Sequence, residues 1–253
     1  MTDITHNQRI VAQFTRWAKP FAELPIHAQA DAMARSLAAC ALEPTLNVLD
    51  VACGPGILAC AMAPHARQVT GIDITPAMIA QAQVRQAAVG LHNLAWHIGD
   101  ATTLPFAAQS FDRVTTRYSL HHMQDPAAVL REMKRVCRPG GRIIVIDATP
   151  SPETWDGYDA MERLRDPSHT SALPLDELRR MGKDAGLSEA VVEAYRLEAQ
   201  LETLSDEKDM AALTAMFDAD IASGQDRIGV GAWRTPEGIR FHFPVSILAW
   251  HIA

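Results

Sequence analysis

Between residues 46 and 147 the chain alternates short apolar runs with longer stretches in which apolar positions recur every three or four residues. The runs LNVLDV (46–51), QVTGIDI (68–74), NLAWHI (93–98), FDRVTTRYSL (111–120) and RIIVID (142–147) are bounded by Gly, Pro, Asp or Asn, which predicts five strands. Helical spacing marks 57–66, 76–90 and 125–140, the last two opening with a proline in the first turn and closing at a glycine. This rhythm predicts a mainly parallel sheet with helices on both faces, whose ligands sit at the carboxyl ends of the strands.

The flanks follow other patterns. Residues 7–24 and 26–42 have helical periodicity, and Phe14 and Trp17 fall on one face of the first helix, where they could close over a site or simply staple the helix to the domain. After residue 150 comes an irregular, Pro-bearing insertion (151–174), then a helix at 175–186, a strand at 187–199, a helix near 206–222 and a final run at 240–253. The expected organisation is an N-terminal helical lid (1–45), a ligand-binding core (46–150), and a substrate cover with strands completing the sheet (151–253).

Composition narrows the chemistry. The 253 residues carry thirty acids against twenty-three Lys plus Arg, for a net charge of -7, with no basic cluster, so nucleic acid is not an expected partner. The start lacks the apolar core of a leader, and no run approaches the roughly 18 apolar residues of a membrane span, so a cytoplasmic protein is expected. Cys40, Cys53, Cys60 and Cys137 show neither C-x-x-C spacing nor a local His partner; no metal site is expected, and they read as small buried thiols.

The turn after the first strand, A-C-G-P-G-I at 52–57, resembles a dinucleotide loop only at first sight. Ala52 stands where the first glycine belongs, Ile57 and Leu58 where the third would allow close packing, and Pro55 removes an amide from the phosphate cradle. Asp50 beside the turn suits a cation better than an anion. A phosphate-free adenosine bearing an amino group and a sulfonium fits these conditions, and S-adenosylmethionine is such a ligand.

D-V-A-C-G-P-G at 50–56 resembles the D-x-G-x-G-x-G turn of the class I methyltransferases, particularly the group related to the ubiquinone and menaquinone methyltransferases, with alanine replacing the first glycine. G-I-D-I at 71–74, G-D-A at 99–101, L-P-F at 104–106, F-D-R-V at 111–114, S-L-H-H-M at 119–123 and R-P-G-G-R-I at 138–143 continue the resemblance over roughly 46–147. It implies a Rossmann-like, seven-stranded, mostly parallel sheet binding S-adenosylmethionine. Asp73, about 20 residues past the glycines, would accept the ribose hydroxyls. Asp100 would accept the adenine amine. Each acid taken alone reads equally as a helix cap. Asp50, Ala52, Cys53, Gly54, Gly56, Ile74, Met78, Ala101, the Arg117 backbone and His122 would complete the cofactor site. Asp112 reads as a structural anchor of a turn.

Methyl transfer from a sulfonium mostly requires alignment and exclusion of water, with a base where the acceptor is a hydroxyl or an acidic carbon. His121 and His122 follow a strand and point different ways on a turn; His122 is the favoured cofactor contact and proton acceptor, by analogy. His169 is a second catalytic candidate. With Arg165 and Asp166 it could bind a polar acceptor, or form a satisfied loop network. No Asp/Asn-Pro-Pro-Tyr/Phe stretch follows the fourth strand, which favours a small-molecule acceptor over a nucleic acid. A homodimer is compatible with the sequence. The alternative of another class is a protein that binds the cofactor without transferring its methyl, as a binding module, cyclase or isomerase.

Overall fold

The alternation folds as one open sheet, described for residues 5–23, 29–204 and 206–252 of a computed structural model. Its strands are β1 Asn47–Val51, β2 Gln68–Asp73, β3 Leu94–Ile98, β4 Phe111–Arg117, β5 Cys137–Ala148, β6 Ser188–Gln200, β7 Trp233–Thr235 and β8 Gly238–His251. The helices are α1 His6–Glu23, α2 Ala30–Cys40, α3 Ile57–Met62, α4 Pro76–Ala88, α5 Pro126–Val136, α6 Trp155–Arg165, α7 Leu175–Asp184 and α8 Glu207–Ser223. Across the sheet the order is β3, β2, β1, β4, β5, β8, β6. Neighbours are parallel from β3 to β5, and β8 runs antiparallel to both β5 and β6. These seven strands form the expected path. An eighth, the three-residue β7, pairs with the first residues of β8.

Helices on both faces explain why β5 and β8 carry continuous apolar runs, at 143–146 and 247–250. Val48, Ile144, Ile146, Ile247 and Ala249 pack on one side with Met62, Tyr158, Met161 and Phe217. Leu49, Val51, Ile143, Val145 and Trp250 pack on the other with Val129, Leu130 and Met133 of α5 and Leu178 of α7. Asp112 is the anchor its position predicts: it accepts from the Asn47 amide (2.8 Å) and from Arg138 Nη1 (2.9 Å), tying the start of β4 to β1 and β5. All four cysteines are free and buried. No helix of the described residues is long and apolar enough to cross a membrane.

Two boundaries differ from expectation. The insertion at 151–174 contains α6, an eleven-residue helix that buries Tyr158 and Met161. Gly157 masks its helical pattern, yet glycine is needed there, because a Cβ would lie 2.2 Å from the Arg227 carbonyl oxygen. Residues 137–140 belong to β5 rather than to the preceding helix, which stops at Val136 as Cys137 turns extended. The expected start of the second helix, at 26, and the last residue of the final run lie outside the described residues.

Gly56 shows how tightly the turn meets the sheet. Its φ is +73°, and a Cβ there would lie 2.7 Å from the Trp96 ring and 2.9 Å from Ala82 Cβ. Left-handed strain and overpacking add, so Gly56→Ala is expected to destabilise the fold by about 2–4 kcal/mol, measured by urea unfolding.

Candidate active site

β1 and β4 lie side by side at the point where the strand order reverses, which opens a crevice at their carboxyl ends. The turn leaving β1 alternates through the left-handed region, with φ of 52° at Ala52, 52° at Gly54 and 73° at Gly56. One side chain holds it: Asp73, at the end of β2, accepts from the Gly54 amide (2.9 Å) and the Thr75 amide (2.8 Å). Its carboxyl is held above the ordinary range by burial, which outweighs those two bonds. The second bond is a local turn just before α4, whose N-cap is Thr75, so Asp73 is not the helix cap and stands on the crevice wall.

Ala52, Cys53 and Gly54 line this cleft, as do Ile74 and Met78 after β2 and Asp100 with Ala101 after β3. Asp50, Asp73, Arg117 and His122 complete the predicted set. Gly56 does not belong to it: its missing side chain makes room for Trp96 and Ala82, so its role is packing. At Gly54, by contrast, a Cβ would meet nothing within 4 Å. Asp50 is buried; its Oδ1 accepts from Thr115 Oγ1 (2.9 Å) while Oδ2 has no partner. Burial pushes its carboxyl up to about 7 against the bond from Thr115. Asp100 accepts at Oδ1 from the Thr102 amide (2.8 Å) and hydroxyl (2.7 Å), and at Oδ2 from Asn7 Nδ2 (2.8 Å).

The N-terminal helix therefore covers the cleft. His6 Nε2 donates to the His122 carbonyl (2.6 Å), next to the Asn7 bond, and the Phe14 ring stands edge-on to His122 with centroids 5.0 Å apart. His6 and Asn7 escape sequence reasoning because their partners lie 116 and 93 residues away. A second cavity opens on the other side of His122, lined by Phe14, Trp17, Arg165 and Asp166. Phe14, Phe21, Tyr118 and His122 face both spaces. Tyr118, at this junction, is held left-handed at φ 54°, a strained conformation for an aromatic residue and one found at functional sites.

His122 lines the cleft as expected, but the two adjacent histidines differ in basicity. His121 lines the second cavity and its Nδ1 donates to Asp147 Oδ1 (2.5 Å). Burial works against its protonation, but Asp147 outweighs burial and leaves the His121 pKa raised. Asp147 is depressed despite burial, through His121 and through amides of Leu120 and Ala148. His122 is instead pushed down to about 3 by burial and the neighbouring His121, too weakly basic to take a proton at neutral pH. Ser168 Oγ donates to Asp166 Oδ1 (2.6 Å), so it accepts from His122 Nδ1 (3.2 Å). Both histidines stand on the wall of the second cavity, and His121 is the more basic of the two. His169 stands behind the site rather than on its wall: its ring centroid lies 5.6 Å from that of His121, and its buried ring meets Asp159 through Nε2 (2.8 Å), while Asp159 also accepts from Ser171 Oγ (2.7 Å) and the Ala172 amide (2.9 Å). The Arg165–Asp166–His169 group is thus divided, two on the cavity wall and one in the loop network.

Asp147→Asn is expected to lower the His121 pKa, read from its ring-proton NMR titration. The raised His121 pKa adds stability that is present below about pH 6.5 and is lost as pH rises through the folded value. The lowered Asp147 pKa adds stability present above about pH 3.9 and lost as pH falls through the folded value. The urea midpoints of wild type and variant should therefore differ most between about pH 4 and 6.5, and less at higher pH.

The chain matches the methyltransferase domain family over residues 49–145. It is 32% identical over 159 residues to an uncharacterized methyltransferase, YcgJ, of Bacillus subtilis, covering 62% of this chain and 63% of that protein. To the ubiquinone/menaquinone biosynthesis C-methyltransferase UbiE of Desulfotalea psychrophila it is 42% identical over 107 residues, 41% of this chain and 42% of that one. It thus spans less than two thirds of these relatives. The crystal structure of YcgJ superposes with a TM-score of 0.80 at 24% identity, over 88% of this chain and 99% of that one, which shows a shared fold. Residues 49–145, at the heart of the sheet, thus match the methyltransferase domain family, and over this stretch the chain is similar to a ubiquinone/menaquinone C-methyltransferase.

Proposed function

We propose that this protein transfers a methyl group from S-adenosylmethionine to carbon, oxygen or nitrogen of a small-molecule acceptor. The observation that carries this reading is the charge of the cleft, whose wall sets the carboxylates of Asp50, Asp73 and Asp100 against the single guanidinium of Arg117. A pyrophosphate would be repelled there; a nucleoside bearing an ammonium and a sulfonium is favoured. The unpartnered, buried Asp50 oxygen suits the ammonium. Asp73 keeps lone pairs for ribose hydroxyls beyond the two amides it already binds, Asp100 suits the adenine amine, and the open space beside Gly54 lets a ligand edge approach.

The cofactor supplies an electrophilic methyl group when bound. The chain's part is to align the acceptor and exclude water, for which α1 roofs both cavities and Tyr118 and His122 stand between them. Where the acceptor loses a proton, His121 receives it at Nε2, since Nδ1 is committed to Asp147, which fixes the tautomer and stabilises the imidazolium. The quinone C-methyltransferase among the relatives supports carbon as one acceptor atom. That match covers the cofactor half, so oxygen and nitrogen remain equal candidates.

Calorimetry should show uptake of S-adenosylhomocysteine and no uptake of NADH, and Asp73→Ala should weaken that uptake at least about tenfold. Transfer of tritiated methyl to a pool of candidate acceptors completes the test; uptake without any transfer would reassign the protein as a binding module. A further expectation concerns Asp50. With its carboxyl near 7, an ammonium beside it should expel the proton, so uptake at pH 6 should release protons, seen as a buffer-dependent heat, and Asp50→Asn should abolish that release.

A further inference from the structure

The second cavity has a composition that neither the cofactor nor the transfer step explains. Its walls are largely aromatic and aliphatic, with Trp17, Tyr158, Leu197 and Phe243 among them. Within this lining stand two carboxylates, Glu162 and Asp166, and one guanidinium, Arg165. The guanidinium is already engaged. Its Nε meets Glu162 Oε1 at 3.1 Å and its Nη2 meets Glu162 Oε2 at 2.6 Å, a two-pronged pair in which the Glu162 side chain is 3% exposed and that of Arg165 19%. The Phe243 ring lies 6.0 Å beneath the guanidinium and shields it further. Among the described residues no cation is in hydrogen-bond contact with Asp166; its Oδ1 accepts from the amide and hydroxyl of Ser168. The remaining ionisable groups facing the space are the phenols of Tyr118 and Tyr158 and the imidazoles of His121 and His122, and the charge of His121 is offset by Asp147.

We infer that this chamber selects an uncharged, largely apolar acceptor and rejects carboxylate- or phosphate-bearing ones, and that Glu162 is the residue that sets this preference by occupying Arg165. Without Glu162 the same guanidinium would be an anion-binding group, because a planar fork on an apolar wall is well suited to carboxylates. With Glu162 in place the wall formed by Glu162, Arg165 and Asp166 carries one net negative charge, and an entering anion loses its water and finds the guanidinium already paired. The inference rests on the second cavity being the acceptor's chamber.

The test needs no knowledge of the natural acceptor. Protein saturated with S-adenosylhomocysteine is titrated calorimetrically with 2-naphthol, neutral at pH 7, and with 2-naphthoate, an anion of similar size and shape. Wild type should favour 2-naphthol by at least about tenfold, and Glu162→Gln should reverse or erase that preference. Because Glu162→Gln leaves a buried guanidinium unpaired, the combined Glu162→Gln and Arg165→Met variant is measured too, and should keep the wild-type preference. Naphthoate binding to wild type as tightly as naphthol, uptake of neither probe, or an unchanged ratio in Glu162→Gln would each overturn the inference. S-adenosylhomocysteine uptake is recorded in the same samples, so a failure of the cofactor reading shows separately.

Discussion

The carboxylate of Asp73 is the contact on which the site depends. From the end of β2 it reaches the Gly54 amide and so holds the turn leaving the neighbouring strand, a turn in which three residues adopt left-handed backbone. A carboxylate can do this because it accepts several hydrogen bonds at once, leaving capacity for a ligand while bracing the main chain. The same bond joins two elements that the parallel sheet already aligns, β1 and β2, whose register runs from Asn47 opposite Gln68 to Val51 opposite Ile72. Floor and wall of the cleft are thereby one unit.

Around that unit, burial rather than pairing controls the acids. Asp50 and Asp73 are both raised because little water reaches them and the nearest polar groups only partly compensate. Asp147 is equally buried yet depressed, because an imidazole and several amides face it. The contrast is one of neighbours: Asp50 and Asp73 accept from hydroxyl and amide donors, whereas Asp147 also faces an imidazole. Adjacent histidines diverge for the same reason. His121 lies against a carboxylate and His122 against a hydroxyl, an aromatic edge and its own neighbour.

The N-terminal helix joins the two cavities into one covered space. Its first turn bonds to Asp100 and to the His122 carbonyl, its aromatic face roofs both chambers, and Arg85 of α4 donates to the Ala22 carbonyl near its far end. Phe14 and Phe21 of this helix line both chambers. The loop after α6 braces the same turn, since the Thr170 and Ser171 amides both donate to the His121 carbonyl.

Much of this was legible along the chain. The β-α rhythm, the glycine turn with its proline, and acids placed just after strands arise from contacts a few residues apart or from hydrophobic periodicity, both written locally. Asp50, Gly54, Asp73 and Asp100 line the cleft, where the family resemblance puts them. What spacing could not separate was function from packing at Gly56, where Trp96 arrives from another strand, or base from wall at His121 and His122, where Asp147 decides from the next strand over. For His169 the sequence left a polar site and a loop network equally open, because its partner Asp159 lies ten residues earlier on a helix whose pattern Gly157 interrupts. Sequence determined which groups end the strands; only the tertiary structure decided which charged neighbour each would meet, because the proton affinity of a buried group is set by what lies across the gap rather than along the chain.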